Sequence, residues 1–250
     1  MNLQVVTEGW DSLVLEVGGE WIVRIPRRDA VRETMQVEAR LLPELNLPVA
    51  IPRFEVVTEV AVAYRKLRGT PIDPSRPALG RQVGRFLAAL HAFPVGRARE
   101  LGVPDHAYGA FTEQVLDRAG PLLGADLDRA RAMVDEHFAA EASFAPRLLH
   151  ADLGPAHLLA EGDELTGVID WGDVRIGDPA LDFAWLLQQQ FAETVLDAYG
   201  EHDPGLRDRA LFFHRLGPWY ELHYGLFFDR PEFVESGLAG VRSRLPGRIP

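Results

Sequence analysis

The run Gly69-Thr70-Pro71-Ile72-Asp73-Pro74 divides this chain into two parts whose hydrophobic patterns differ. Each proline lacks a backbone donor and fixes φ, so no regular element passes through both, and the stretch reads as a loop. Before it the apolar residues come in short β-rich runs; after it they recur at helical spacing. A chain built this way folds as an α+β protein with a β-rich first part, residues 1–67, and a larger, mainly helical second part, residues 68–250.

The first part predicts strands over Leu3 to Thr7, Ser12 to Val17 and Glu20 to Ile25, the last two joined as a hairpin by Gly18-Gly19. Residues Ala30 to Leu45 predict a helix, with Val37, Leu41 and Leu45 at four-residue spacing and no breaker before Pro43. Strands follow at Arg53 to Thr58 and Val60 to Leu67, giving the order β-β-β-α-β-β. In the second part Leu79, Val83, Phe86, Leu87 and Leu90 mark one helix and Leu127, Ala130, Val134 and Phe138 another. Between them Leu148 to Trp171 reads as loop and hairpin, and no internal repeat is present.

Charge and composition narrow the function. The formal net charge of -11 repels a nucleic-acid backbone and suits a cationic small molecule. Absence of cysteine excludes disulfides and thiolate metal sites. Neither a basic, apolar leader nor a run of about 18 apolar residues occurs, so the expected location is cytoplasmic, with no membrane partner. Among 26 basic residues only Lys66 is lysine, so arginine is the default cation of this chain.

The chemistry concentrates in Leu149-His150-Ala151-Asp152-Leu153-Gly154-Pro155-Ala156-His157-Leu158-Leu159 and in Val168-Ile169-Asp170-Trp171-Gly172-Asp173, where polar residues stand inside an apolar frame. An unpartnered ion is costly to bury, so Asp152 and Asp170 are expected to face a site or a metal. Phosphoryl transfer needs a carboxylate to orient the attacking hydroxyl and ligands to keep a divalent ion on the phosphates. An aspartate on a tight loop, a ligand five residues on, and a second aspartate after a hairpin can converge on one such centre.

With these residues in place the chain resembles the aminoglycoside and macrolide phosphotransferases, through His150-x-Asp152, Ile169-Asp170-Trp171 and the continuation Gly177-Asp178-Pro179-Ala180-Leu181-Asp182-Phe183. The resemblance implies a two-lobed protein-kinase-like fold and transfer of the γ-phosphate of ATP or GTP to a hydroxyl of a small, cationic acceptor. It implies Asp152 as catalytic base, His157 and Asp170 as ligands of Mg²⁺, and His150 and Asp178 as supports of the site. The family pattern usually has asparagine where this chain has His157, and a nitrogen ligand there makes Mn²⁺ an alternative ion. Trp21-Ile22-Val23-Arg24-Ile25-Pro26-Arg27-Arg28 resembles the strand that carries the phosphate-binding lysine of kinases, with Arg24 in that place. Its partner is expected to be Glu38, with Glu33 as the alternative. The resemblance also places the purine against the backbone of Tyr64, Arg65, Lys66 and Leu67, and the phosphates under the loop Glu8-Gly9-Trp10-Asp11-Ser12.

Several residues carry a plainer reading beside this one. Asp178 before Pro179 is what an N-cap followed by a first-turn proline looks like. Asp173 reads as a solvated or loop-capping carboxylate or as part of an acceptor site. Trp219, Tyr220, Tyr224, Phe227 and Phe228, with Glu221 among them, read as core packing or as a wall for the acceptor, with Tyr220, Glu221 and Tyr224 its expected contacts. The motifs leave open a metabolite kinase for an amino alcohol or sugar, or a silent nucleotide binder. The short interval between Asp170 and Asp178 argues against a protein substrate.

Overall fold

The computed structural model describes residues 3–8, 11–139 and 144–247. Strands β1 (Leu3–Glu8), β2 (Ser12–Val17) and β3 (Trp21–Pro26) precede helix α1 (Asp29–Leu41), and β4 (Phe54–Val57) and β5 (Val62–Arg65) follow it. They form one antiparallel sheet in the order β1-β2-β3-β5-β4, as the β-β-β-α-β-β pattern predicts. Gly18 and Gly19 take φ of 64° and 76°, the paired positive values that a two-residue hairpin turn needs and that glycine supplies without strain.

Helix α1 stops at Leu41, short of the predicted Leu45, and passes into a 3-10 turn at Leu42–Glu44 that holds Pro43. The proline ring cannot accept the carbonyl one turn back, so the helix yields there. Val31, Met35, Glu38 and Leu41 are its buried face. Val31 and Met35 pack with Val62 and Phe54 of the sheet. Glu38 thus lies on an apolar stripe, where a lone carboxylate would be costly.

The short strand β6 (Thr70–Pro71) leads into α2 (Pro77–His91) and α3 (Val95–Glu100), and then come α4 (Tyr108–Leu123), α5 (Leu127–Ala139) and β7 (Arg147–Leu149). After β8 (Leu158–Glu161), β9 (Glu164–Val168) and β10 (Arg175–Gly177), the chain ends in α6 (Ala192–Tyr199), α7 (Leu206–Phe227) and α8 (Pro231–Arg244). Two small sheets, β6-β8-β9 and β10-β7, frame the segment that carries the aspartates. Helix α2 lies close against α6 because Gly84 has no side chain: a Cβ there would stand 2.2 Å from Val195 O.

By its own contacts the chain gathers into two compact units, residues 1–105 with 145–202, and residues 106–144 with 203–250. The first contains the five-stranded sheet, α1, α2 and β6 to β10. The second is α4, α5, α7 and α8. Within the first unit, Val168 N–H donates to Ala50 O at 3.0 Å and Thr166 Oγ1 to Arg68 O at 2.6 Å, fastening β9 to the segments on either side of β4 and β5. Among the described residues no helix is long and apolar enough to cross a membrane.

Candidate active site

Strand β7 is buried and ends on a loop whose backbone is fixed from below. Asp182, fully buried, accepts from His150 N–H at 3.0 Å and from Ala151 N–H at 2.7 Å. Its Oδ2 also meets His91 Nε2 at 3.1 Å, and His91 Nδ1 meets the Tyr199 hydroxyl at 2.9 Å. These bonds hold Ala151 at φ 67°, a left-handed conformation that costs a residue with a side chain roughly 1–2 kcal/mol. Strain of that kind persists only where the surroundings impose it.

His150 is enclosed completely and works through both ring nitrogens. Nε2 donates to Ile169 O at 2.9 Å, and Nδ1 accepts the Asp152 N–H at 3.4 Å, which requires the neutral Nε2–H ring. Burial pushes its pKa down, in keeping with that state. The ring stands edge-on to buried Trp171, centroids 4.9 Å apart, and Trp171 Nε1 donates to Val168 O at 3.0 Å. His150 is therefore the strut between the Asp152 loop and the Asp170 turn.

The β8–β9 hairpin closes the distance between the other two groups. Leu158 pairs with Val168, and Ile169 N–H donates to His157 O at 2.9 Å, so His157 and Asp170 emerge side by side. His157 Nδ1 lies 2.6 Å from Asp152 O, a carbonyl that only accepts, so this nitrogen carries the proton. Nε2 keeps its lone pair 3.6 Å from Asp170 Oδ2. Asp170 is itself at φ 63°. One ligand atom from each of Asp152, His157 and Asp170 falls within 4.8 Å of the others.

Like charges so placed repel. Burial pushes the Asp152 carboxyl up to about 7, His157 opposes the rise, and Asp173, Asp170 and Asp182 add to it. Asp173 is likewise raised by burial against the pull of Arg175, whose Nη2 is 3.8 Å from it. Two carboxylates and one imidazole with a free lone pair, under a surplus of negative potential, fit a divalent cation of the Mg²⁺ or Mn²⁺ kind.

Arg24 joins the sheet to this centre. Its Nη1 donates to Glu38 Oε2 at 2.6 Å, and Nη2 stands 3.8 Å from Asp170 Oδ1, with only 7% of the arginine side chain exposed. Burial works against the Arg24 charge, but Glu38 and Asp170 more than offset it and raise its pKa. Burial also raises Glu38, against the pull of Arg24. Its second oxygen, Oε1, has no hydrogen-bond partner among the described residues. Glu33, the other carboxylate considered, is exposed on α1.

Tyr64 is buried beside this pair, its hydroxyl pushed up to about 12 by burial. Arg65 lies over the Trp21 ring at 4.0 Å and donates to Glu20 at 2.9 Å, and Lys66 Nζ meets Glu16 at 2.5 Å. Both side chains are engaged by the β2–β3 hairpin. The Lys66 N–H also goes to Glu20 O at 2.8 Å, while the Leu67 side chain packs over Gly167. Asp178 caps its own turn by accepting from Ala180 N–H at 3.0 Å.

Tyr220, Glu221 and Tyr224 belong to the second unit, on α7. Glu221 accepts from Ser236 Oγ at 2.7 Å, and the Tyr224 ring packs edge-on against Phe233. Within the aromatic run Trp219 is core, whereas Tyr220, Phe227 and Phe228 are exposed. In the proposed phosphate loop, Gly9 and Trp10 lie outside the described residues. Sequence reasoning gave no role to His91 or Tyr199 and noted Asp182 only as a neighbour of Asp178; the Asp178-x-x-x-Asp182 spacing was the available signal.

Comparison with known proteins bears on this arrangement. Residues 2–213 match the model of the phosphotransferase enzyme family. "Uncharacterized protein YcbJ" of Bacillus subtilis (strain 168) is 29% identical over 221 residues, 77% of this chain and 71% of that protein. The GDP and kanamycin complex of APH(2")-IIia superposes with a TM-score of 0.88 at 25% identity, covering 98% of this chain and 93% of that one. The macrolide 2'-phosphotransferase MphH from Brachybacterium faecium, an apoenzyme, gives 0.77 at 27% identity, over 99% and 94%.

Proposed function

The chain belongs to the phosphotransferase enzyme family and has its two-lobed kinase-like fold, and we propose that it moves the γ-phosphate of ATP or GTP to a hydroxyl of an aminoglycoside- or macrolide-like acceptor. The observation that carries this reading is the gathering of Asp152, His157 and Asp170 within 4.8 Å, with Arg24 held on Glu38 and reaching towards Asp170.

In this reading residues 1–67 hold the nucleotide and residues 68–250 supply the catalytic groups and the acceptor contacts. The Asp152 carboxylate orients the acceptor hydroxyl and takes up its proton as the oxygen attacks phosphorus. His157 Nε2 and Asp170 hold the Mg²⁺ or Mn²⁺ ion, which when bound neutralises charge on the phosphate oxygens. Arg24 presents Nη2 to the phosphates while Glu38 fixes its orientation. Backbone groups of residues 64–67 meet the purine, with the Lys66 N–H already spent on Glu20. Asp173, Tyr220, Glu221 and Tyr224 serve the acceptor, and the location is cytoplasmic.

The test is release of nucleoside diphosphate from ATP and from GTP with Mg²⁺, against a panel of aminoglycosides, macrolides, amino alcohols and sugars. Release that depends on one acceptor class and disappears in Asp152→Ala supports the reading and names the class. Dependence on an amino alcohol or sugar alone makes the protein a metabolite kinase. Nucleotide binding without release under any acceptor contradicts catalysis.

A further inference from the structure

We infer that Arg28 is a phosphate-positioning residue, held in reserve by Asp11 and exchanged onto the phosphate chain when nucleotide binds. The inference rests on the kinase reading above.

The β2–β3 register sets the geometry. Ser12 pairs with Pro26, and Arg27 N–H donates to Asp11 O at 2.9 Å, so Asp11 is fastened to the chain just beyond β3. Arg24, on that same strand, reaches towards Asp170. Arg28 stands one turn of chain further on, as the residue that precedes α1, and its Nη2 donates to the Asp11 carboxylate. Asp11 also faces the reacting centre: its charge helps raise Asp173, which feels Asp170 and His157 as well.

Charge accounting then singles out Arg28. A nucleoside triphosphate is a polyanion, and it must enter beside Asp11, Asp152, Asp170 and Asp173. Arg24 is committed to Glu38, the two side chains 7% and 0% exposed, and this pair is shielded from exchange. The Arg28 and Asp11 side chains are 40% and 46% exposed. An exposed ion pair of this sort is weak and readily exchanged, whereas a guanidinium on phosphate makes paired, charge-assisted bonds. Rotation of the Arg28 side chain suffices, because its backbone is fixed by α1. Asp11 accordingly acts as a competitor for Arg28, and its removal strengthens nucleotide binding.

Calorimetric titration of the full chain with Mg²⁺ and ATP, GTP, adenosine or guanosine tests this. Arg28→Gln is expected to raise the triphosphate Kd about tenfold and to leave the nucleoside Kd unchanged. Arg28→Lys should fall between wild type and Arg28→Gln, and thermal melting checks that all variants fold. Asp11→Asn should lower the triphosphate Kd about threefold, and that gain should vanish in the Arg28→Gln background. A gain that survives there shows Asp11 acting as a general negative charge and overturns the inference, as does an unchanged Kd in Arg28→Gln. If the wild-type protein binds neither triphosphate, the kinase reading itself fails.

Discussion

Asp182 and Asp152 stand on opposite sides of one loop, and the fold treats them in opposite ways. Asp182 is sealed from solvent and meets three donors, two backbone N–H groups and the His91 ring. Asp152 keeps 54% of its side chain exposed, is approached by His157 Nδ1 only at 3.5 Å, and sits among other carboxylates. A saturated buried carboxylate rigidifies, while an unsaturated one stores free energy that a substrate or cation can release. The loop is therefore stiff beneath and hungry above, and the left-handed turn at Ala151 lies where the two demands meet.

The largest effect expected from breaking this contrast is on the stiff side. Asp182→Ala leaves two buried N–H groups and His91 without their acceptor, and should cost about 3–5 kcal/mol of stability. At roughly 2–4 °C per kcal/mol for a chain of this size, thermal melting should show a fall of about 6–20 °C, with activity lost as well.

Asp152→Asn acts on the other side. It should lower kcat by about 10²–10⁴-fold, in the range of a lost general base, in a diphosphate-release assay. Stability should move the opposite way. Burial raises this carboxyl from 3.8 to about 7, so its favourable contribution to stability is complete below 3.8 and is lost as pH rises through about 7. The variant should therefore melt higher than wild type above pH 7, by about 1 kcal/mol or less because half the group is solvent-screened, and the difference should shrink towards pH 5.

The same shift gives a pH profile. Only the ionised Asp152 accepts a proton, so kcat/KM should fall as pH drops below about 7. Raising Mg²⁺ should move that limb to lower pH, since a cation beside a carboxylate favours its charged form. A limb indifferent to metal concentration would separate Asp152 from the metal centre. The smallest effect belongs to Ala151→Gly: relief of the positive φ should offset the entropic cost of glycine and raise stability by up to about 1 kcal/mol in urea unfolding, with kcat unchanged.

Much of this was legible in the sequence, for reasons that particular residues make clear. The five-stranded order followed from short β-rich runs and the Gly18-Gly19 turn, both local signals. Asp152, His157 and Asp170 stood out because charge inside an apolar frame demands an explanation, and the hairpin between them is short enough for spacing to predict convergence. The pairing of Arg24 with Glu38 rather than Glu33 needed the three-dimensional face of α1. Val37 suggested one stripe, whereas Val31, Met35, Glu38 and Leu41 form the buried one. His91 and Tyr199 were beyond reach, since a lone histidine at the end of α2 and a tyrosine on α6 meet only through the packing of two helices around Gly84.

The measurement that bears most directly on the account is mass spectrometry of the acceptor after incubation with nucleotide and Mg²⁺, run for wild type and for Asp152→Asn, with nucleotide binding of both measured in parallel. The account predicts that one acceptor gains a phosphoryl group with the wild-type protein, and that Asp152→Asn binds nucleotide but leaves that acceptor unmodified. Equal phosphorylation by both proteins would remove Asp152 from the chemistry, and the loop's division into a stiff and an unsatisfied side would lose its meaning.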